Sequence, residues 1–203
     1  MFYSLQGESN TVGIPTVFIR LTGCPLRCVY CDTEYAFKGE NLISIADILK
    51  KIKKYNTQYI CVTGGEPLAQ NNCFYLLDAL IANDYKVSLE TSGSISIKNV
   101  PSVVDIVMDL KTPSSEEVEK NNWDNLKYLQ KHHQVKFVIG NKRDFEWSVD
   151  VLQKNIIKAE ILFSPIADLL SPTLLADWIL KKQLKVRMQF QLHKILWQDT
   201  KGK

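Results

Sequence analysis

No apolar run in this sequence approaches the roughly 18 residues that a membrane-spanning helix needs. No charged N-terminal segment leads into an apolar stretch either, so neither a span nor a secretory leader is expected. Excess charge is scarce: 25 basic against 22 acidic side chains leave a net +3 over 203 residues. That balance is too mild to call for nucleic acid or a membrane surface as a partner. Internal repeats, low-complexity tracts and linker-like shifts in composition are absent, so residues 1–203 are expected to form one domain large enough to bury a proper core. Cysteine is rare, and its distribution excludes more than its number. Of five cysteines, three fall within eight residues. An odd, crowded set does not make a secreted disulfide framework and fits a reducing, cytoplasmic compartment.

The crowded three are Cys24, Cys28 and Cys31, spaced C-x3-C-x2-C in the stretch Thr22-Gly23-Cys24-Pro25-Leu26-Arg27-Cys28-Val29-Tyr30-Cys31-Asp32-Thr33. Thiolates that close in a loop hold a soft metal or an iron–sulfur cluster. A structural zinc or a simple electron-transfer cluster takes four protein ligands. Three ligands point to a coordination position left open. Two other readings stand beside this one: a zinc site completed by a distant His or Asp, and thiols that merely pack.

Hydrophobic periodicity supplies the frame. Strands are predicted at 16–22, 58–63, 86–91, 103–109, 134–139, 160–164 and 185–191. Helices are predicted after Ser44 (Ile45, Ile48, Leu49 and Ile52 on one face), at 72–83, at 123–132, around Phe145, Val149, Leu152 and Ile156, and at 172–181. Strand–helix alternation implies a parallel sheet with helices outside. The strands fall short of an eight-fold barrel of roughly 250 residues. The expected fold is therefore α/β, a partial (open) TIM-like barrel of about six parallel strands. Cys61 and Cys73 are expected to pack, Trp123, Trp147 and Trp178 to serve helix packing, and His132-His133 to lie at the surface. Strand 16–22 sets Val17, Ile19 and Leu21 on one face and Phe18 and Arg20 on the other. An arginine in mid-strand requires a sheet face that accommodates it.

The unusual residues all sit at strand C-terminal ends: the cysteines, Gly64-Gly65-Glu66, Glu90-Thr91-Ser92-Gly93 and Asp109-Leu110-Lys111. Ligands of parallel α/β sheets bind at that end. Adjacent glycines let backbone approach a ligand, and Lys111 offers a point charge to an anionic group.

The cysteine spacing, with Tyr30 before the third cysteine and Thr63-Gly64-Gly65-Glu66-Pro67 downstream, resembles the signature of radical S-adenosylmethionine enzymes. In that family three cysteines hold a 4Fe–4S cluster whose open iron chelates S-adenosylmethionine, and one electron releases a 5′-deoxyadenosyl radical. The resemblance implies that Cys24, Cys28 and Cys31 carry the cluster. It implies cofactor contacts at Tyr30, Cys31, Asp32, Gly65, Glu66, Glu90, Ser92, Asp109, Leu110 and Lys111.

Leu5-Gln6-Gly7-Glu8, Arg20, Cys31-Asp32-Thr33, the run from Asp109 to Ser115, and Gln191-Leu192-His193-Lys194 together resemble the 7-carboxy-7-deazaguanine synthases of queuosine-precursor biosynthesis. That likeness implies a lyase acting on 6-carboxy-5,6,7,8-tetrahydropterin by hydrogen abstraction at C6, radical ring contraction and loss of ammonia, with S-adenosylmethionine regenerated. It further implies substrate contacts at Leu5, Gln6, Gly7, Arg20 and Thr63, Mg2+ at Thr33, an external one-electron donor such as flavodoxin or ferredoxin, and a homodimer. The chain departs from the family pattern in four places. Ser9 replaces the last glycine of Gln-Gly-Glu-Gly. Asp109-Leu110 stands where many members have Ser-Pro, so only Lys111 transfers firmly. The tail 198–203 extends past the last matched motif. The start at Met1 is expected to shorten the first strand and to weaken the wall that holds Gln6. Two rivals are a glycyl-radical-enzyme activase and a non-catalytic metal or iron–sulfur module. Gln6-Gly7-Glu8 with Arg20 favours a small carboxylated substrate over a protein loop, and a binding module leaves Gly64-Gly65-Glu66 and the run from Glu90 to Gly93 unexplained.

Overall fold

In the computed structural model, residues 1–39, 41–198, 200 and 202 are described. The expectation placed on the tail falls partly on Asp199, Lys201 and Lys203, which lie outside the described residues. Eight strands form one sheet in chain order: β1 (Phe2–Leu5), β2 (Pro15–Leu21), β3 (Tyr59–Gly64), β4 (Lys86–Thr91), β5 (Asp105–Leu110), β6 (Gln134–Ile139), β7 (Glu160–Pro165) and β8 (Arg187–Met188). β1 runs antiparallel to β2 and every later pairing is parallel. β1 and β8 end the order without pairing to each other, so the barrel is open. Among the described residues no helix is long and apolar enough to cross a membrane.

The two-residue period of a strand divides each sequence between two environments. Val17 and Ile19 of β2, Ile60 and Val62 of β3, Ile106, Met108 and Leu110 of β5, and Val135, Phe137 and Ile139 of β6 face outward into the main apolar core. Four helices close that core: α1 (Ile45–Ile52), α2 (Asn72–Ile81), α3 (Lys142–Lys154) and α4 (Pro172–Lys181). Ser44 caps α1 by accepting from the Asp47 amide, and Asn141 caps α3 by accepting from Asp144. The intervening strand residues face the lumen: Phe18 and Arg20, Thr63, Glu90, Val107 and Asp109, Lys136 and Val138. Register sets Arg20 beside Thr63 and Asp109 beside Lys136.

Several expectations are corrected. The predicted helix 123–132 is a short 3-10 turn, Trp123–Tyr128. The Asn125 side chain ties this segment to the loop after β4. Asn125 accepts from Ile97 N (3.0 Å) and donates to Gly93 O and Ile95 O (3.1 and 2.9 Å). Trp123 is left exposed as a result. Ile156 is also exposed, because α3 stops at Lys154 and Asn155 is already extended. The last strand shrinks to β8 because Gln189 turns inward to bond both backbone groups of Ser9 (2.9 and 3.0 Å). His133 is buried, with Nδ1 accepting from Gln130 N (3.1 Å). β1 pairs with β2 over all four of its residues, and Gln6 is 2% exposed, so the wall at Gln6 is firm. Cys61 and Cys73 are core residues.

Candidate active site

The lumen opens at the C-terminal ends of the parallel strands into a cavity of about 700 Å³. Its wall on the β2 side is the cysteine loop. Backbone bonds and one arginine hold that loop. Gly23 takes a positive φ of 90° and donates to Ala36 O (2.8 Å), while Gln70 donates to Thr22 O (2.7 Å). Arg27 folds back on its own loop, with Nη1 donating to Cys24 O and Leu26 O (2.8 and 2.6 Å) and its guanidinium 4.3 Å from the Phe37 ring centroid. The Arg27 amide donates to Glu117 and the Val29 amide to Ser115 O, which ties the loop to the turn after β5. Leu26 is buried as its apolar anchor.

Cys24, Cys28 and Cys31 are free, half-buried and all line the cavity, so they do not simply pack. Burial pushes the Cys28 and Cys31 thiols up from their ordinary value. No group of three or more His, Cys, Asp or Glu side chains among the described residues gathers closely enough to hold one metal ion. In a 4Fe–4S cluster each thiolate binds a different iron, so the three sulfurs are spaced around one cube and are not gathered on one ion. The donor set fits the cluster.

Gly64 and Gly65 close the seam between β3 and this loop. Gly65 N donates to Leu21 O (3.1 Å) and Glu66 N to Gly23 O (2.8 Å). A Cβ on Gly65 would stand 2.5 Å from Gly23 O and 2.8 Å from the Cys24 Cβ, and one on Gly64 would overlap Leu21 O. The close approach that requires glycine is thus made first of all to the cysteine loop. Gly65→Ala is expected to push Cys24 outward, lowering stability by about 1–3 kcal/mol and reducing iron uptake. Thermal unfolding and iron content after reconstitution check this, and an alanine variant normal in both would remove the packing role.

Glu66 and Leu110 stand apart from the cavity. Glu66 is fully buried, and its carboxylate accepts from Leu68 N (3.0 Å), Thr91 Oγ1 (2.9 Å) and Ser92 N (2.6 Å). It braces the end of β4. Leu110 follows the inward Asp109, so its side chain enters the outer core. The other expected cofactor residues, Tyr30, Asp32, Gly65, Glu90, Ser92, Asp109 and Lys111, do line the cavity, as do Leu5, Gln6, Gly7, Arg20, Thr63 and Thr33.

Charge on the lumen face is mostly paired. Lys111 contacts Asp109 at 2.9 Å, and Lys136 contacts Glu8 at 2.5 Å and Asp109 at 3.3 Å. Burial alone would raise the Asp109 carboxyl, but the two lysines outweigh it and hold Asp109 below its usual range. Burial likewise opposes the charge on Lys111, and Asp109 outweighs it and lifts the ammonium above its ordinary value. Glu90 accepts from Gln6 Nε2 (3.3 Å) and Thr63 Oγ1 (2.9 Å). Thr33 donates to Asp32 (2.8 Å). Burial raises the Asp32 carboxyl, yet the Thr33 bond, Lys136 and Lys194 bring it below its usual value.

Arg20 differs from these lysines. Its guanidinium sits between the Phe2 and Tyr35 rings (5.8 and 5.7 Å), and Nη1 donates to Gly64 O at 3.3 Å. Its Nε is buried without a partner among the described residues. Among the described residues no carboxylate is within ion-pair distance of it.

Sequence reasoning missed Glu8 and Lys136. Lys136 carried the same signal as Arg20, a cation at an inward strand position. The short helix α5 (Leu192–Trp197) lies over the loop after β1, where Leu192 N donates to Gly7 O (2.9 Å) and a side chain at Gly7 would collide with His193. His193 thereby lines the cavity. Ser9, which replaces a glycine, takes a φ of 70°.

The sequence profile of the Radical SAM superfamily matches residues 18–156. The 7-carboxy-7-deazaguanine synthase of Koribacter versatilis is 37% identical over 220 residues, spanning 100% of this chain and 97% of its own. That of Methanospirillum hungatei is 40% identical over 197 residues, 97% of this chain and 83% of its own. The crystal structure of QueE from Escherichia coli superposes with a TM-score of 0.71 at 24% identity, covering 93% of this chain and 91% of that one.

Proposed function

The chain belongs to the Radical SAM superfamily and, within it, to the 7-carboxy-7-deazaguanine synthases; on that premise we infer how its cavity serves the ring contraction of 6-carboxy-5,6,7,8-tetrahydropterin. The chain is a radical lyase of queuosine-precursor biosynthesis that uses a 4Fe–4S cluster and S-adenosylmethionine on a small-molecule substrate. When bound, these two groups supply the one-electron chemistry that starts hydrogen removal from the pterin.

One observation carries the assignment of substrate: Arg20 faces the cavity half-buried, with no carboxylate partner among the described residues, while Lys111 and Lys136 are already ion-paired. A planar fork in that state suits a ligand carboxylate, bound through two oxygens. Glu90, with Gln6 and Thr63 bonded to it, offers acceptors and an amide to the amine–amide edge of a pterin. Leu5 and Gly7 complete that wall. Tyr30, Asp32, Gly65, Ser92, Asp109 and Lys111 are the cofactor contacts, with Cys24, Cys28 and Cys31 as cluster ligands. The paired Asp32 carboxylate and Thr33 hydroxyl are oxygen donors suited to Mg2+. The cysteine loop and α5 flank the cavity and limit water beside a reactive site. We read residues 1–203 as one domain, active in the cytoplasm as a homodimer with an external one-electron donor of the flavodoxin or ferredoxin kind.

Anaerobic reconstitution followed by dithionite, S-adenosylmethionine and the carboxytetrahydropterin tests this reading. The expected products are 7-carboxy-7-deazaguanine and ammonia, with many turnovers for each S-adenosylmethionine. Cofactor cleavage without pterin consumption would assign the chain to the activases. A cluster whose spectrum ignores added S-adenosylmethionine would sink both.

A further inference from the structure

The segment from Gln6 to Ser9 is buried at all four positions and contributes no apolar side chain. Apolar packing cannot hold such a segment, so polar bonds must. It has three side-chain tethers, each to a different part of the sheet. Gln6 reaches Glu90 on β4, Glu8 reaches Lys136 on β6, and the Ser9 backbone is bonded by Gln189 just after β8. Only the second joins two opposite charges, whose side chains are 10% and 13% exposed.

The partners are unequal. Asp109 has two lysines, Lys111 and Lys136, whereas Glu8 has Lys136 as its one ion-pair partner among the described residues. A buried charge stripped of its partner is strongly unfavourable. The location of Glu8 therefore depends on Lys136 more than the location of Asp109 does, and Glu8 adjoins Gln6 and Gly7, whose backbones are also bonded to Ile14, Gly13 and Leu192.

We propose that Lys136 is a positioning residue for the substrate: it holds Glu8, and through it the Gln6–Gly7 wall, in register with the β5 end that carries Asp109 and Lys111. The pterin and the cofactor then meet across one ladder of alternating charge, Glu8–Lys136–Asp109–Lys111. This rests on the reading of Gln6 and Gly7 as substrate contacts.

The test uses the full chain with its cluster rebuilt. Glu8→Gln should raise KM for the carboxytetrahydropterin about tenfold or more, which is what a loss of one 1.4 kcal/mol increment produces. kcat should fall far less, and iron content and S-adenosylmethionine affinity should stay as in the parent. In the metal-free chain, amide hydrogen exchange at residues 6–14 should quicken. Lys136→Met should reproduce these effects and Lys136→Arg should largely escape them. Should Lys136→Met fail to accumulate, the double variant Glu8→Gln/Lys136→Met, which leaves neither position charged, takes its place with the same expected rise in KM. A parent-like KM and parent-like exchange in Glu8→Gln overturn the proposal, as does an equal loss of pterin and S-adenosylmethionine affinity. A parent enzyme that ignores the pterin, while Glu8→Gln still quickens exchange at 6–14, overturns the substrate reading and leaves the tether standing.

Discussion

Cys28→Ala is expected to abolish cluster assembly and turnover while leaving the fold in place. The Cys28 backbone serves the loop, since its carbonyl accepts from Cys31 N at 3.1 Å, and alanine keeps that bond. The loop's anchors lie elsewhere, in buried Leu26, in the Arg27 side chain and in the bonds to Glu117 and Ser115. A half-buried thiol at the cavity wall contributes little to stability, and its loss should cost no more than about 0.5–1 kcal/mol. Two remaining thiolates cannot hold three irons. Turnover should therefore drop by the acceleration that the loaded site provides, on the order of 10⁶-fold or more. Iron content, visible absorbance and far-UV circular dichroism separate the outcomes. A variant with normal iron and normal turnover would falsify the ligand assignment, and one that loses both iron and secondary structure would make Cys28 a folding residue instead.

Much of this fold is legible in the alternation of strand and helix patterns. The predicted strands 86–91 and 134–139 coincide with β4 and β6, and the predicted helix 172–181 with α4. Apolar periodicity read these segments well because their burial is one-sided and their ends carry turn or cap residues. The segment 123–132 was misread because its side-chain tethers, those of Asn125, reach loops about thirty residues away in sequence. The site divides in the same manner. Arg20 stood out because a strand rarely buries a guanidinium. Lys136 was open to the same argument, and alternation alone places Leu110 on the face opposite Asp109. Glu8 stood in a recognised motif, but its pairing gave no local sign, since its partner lies 128 residues away. The glycines were read as a place where backbone approaches a ligand, but a sequence cannot name the atom that approaches. At Gly65 the neighbours within the chain are Gly23 and Cys24.

Arg20→Ala should raise KM for the carboxytetrahydropterin steeply and leave the cluster intact. The physical case begins with desolvation. The guanidinium lies 5.8 and 5.7 Å from two aromatic ring centroids, and its Nε is buried with no partner among the described residues, so the fold has already taken that part of the group out of water. A carboxylate arriving there meets a cation that needs little further desolvation or ordering, which is the condition for a strong pair. Loss of one partner of such a pair costs about 2–5 kcal/mol, or roughly 30- to 5,000-fold in affinity. Lysine should not restore it, because an ammonium cannot span two oxygens as a planar fork does. S-adenosylmethionine also carries a carboxylate, so the variant must be tested against both ligands. If Arg20 serves the pterin, S-adenosylmethionine affinity stays unchanged and only the pterin KM rises. A tetrahydropterin lacking the 6-carboxyl group completes the cycle: it should bind the parent and Arg20→Ala equally weakly, because the term that the mutation removes is the one that the ligand lacks. Should the mutation weaken the carboxyl-free pterin as much as the natural one, Arg20 acts by supporting Phe2 and Tyr35, and the carboxylate must bind elsewhere on the wall. Unchanged KM and kcat for the natural substrate would take Arg20 out of the site altogether.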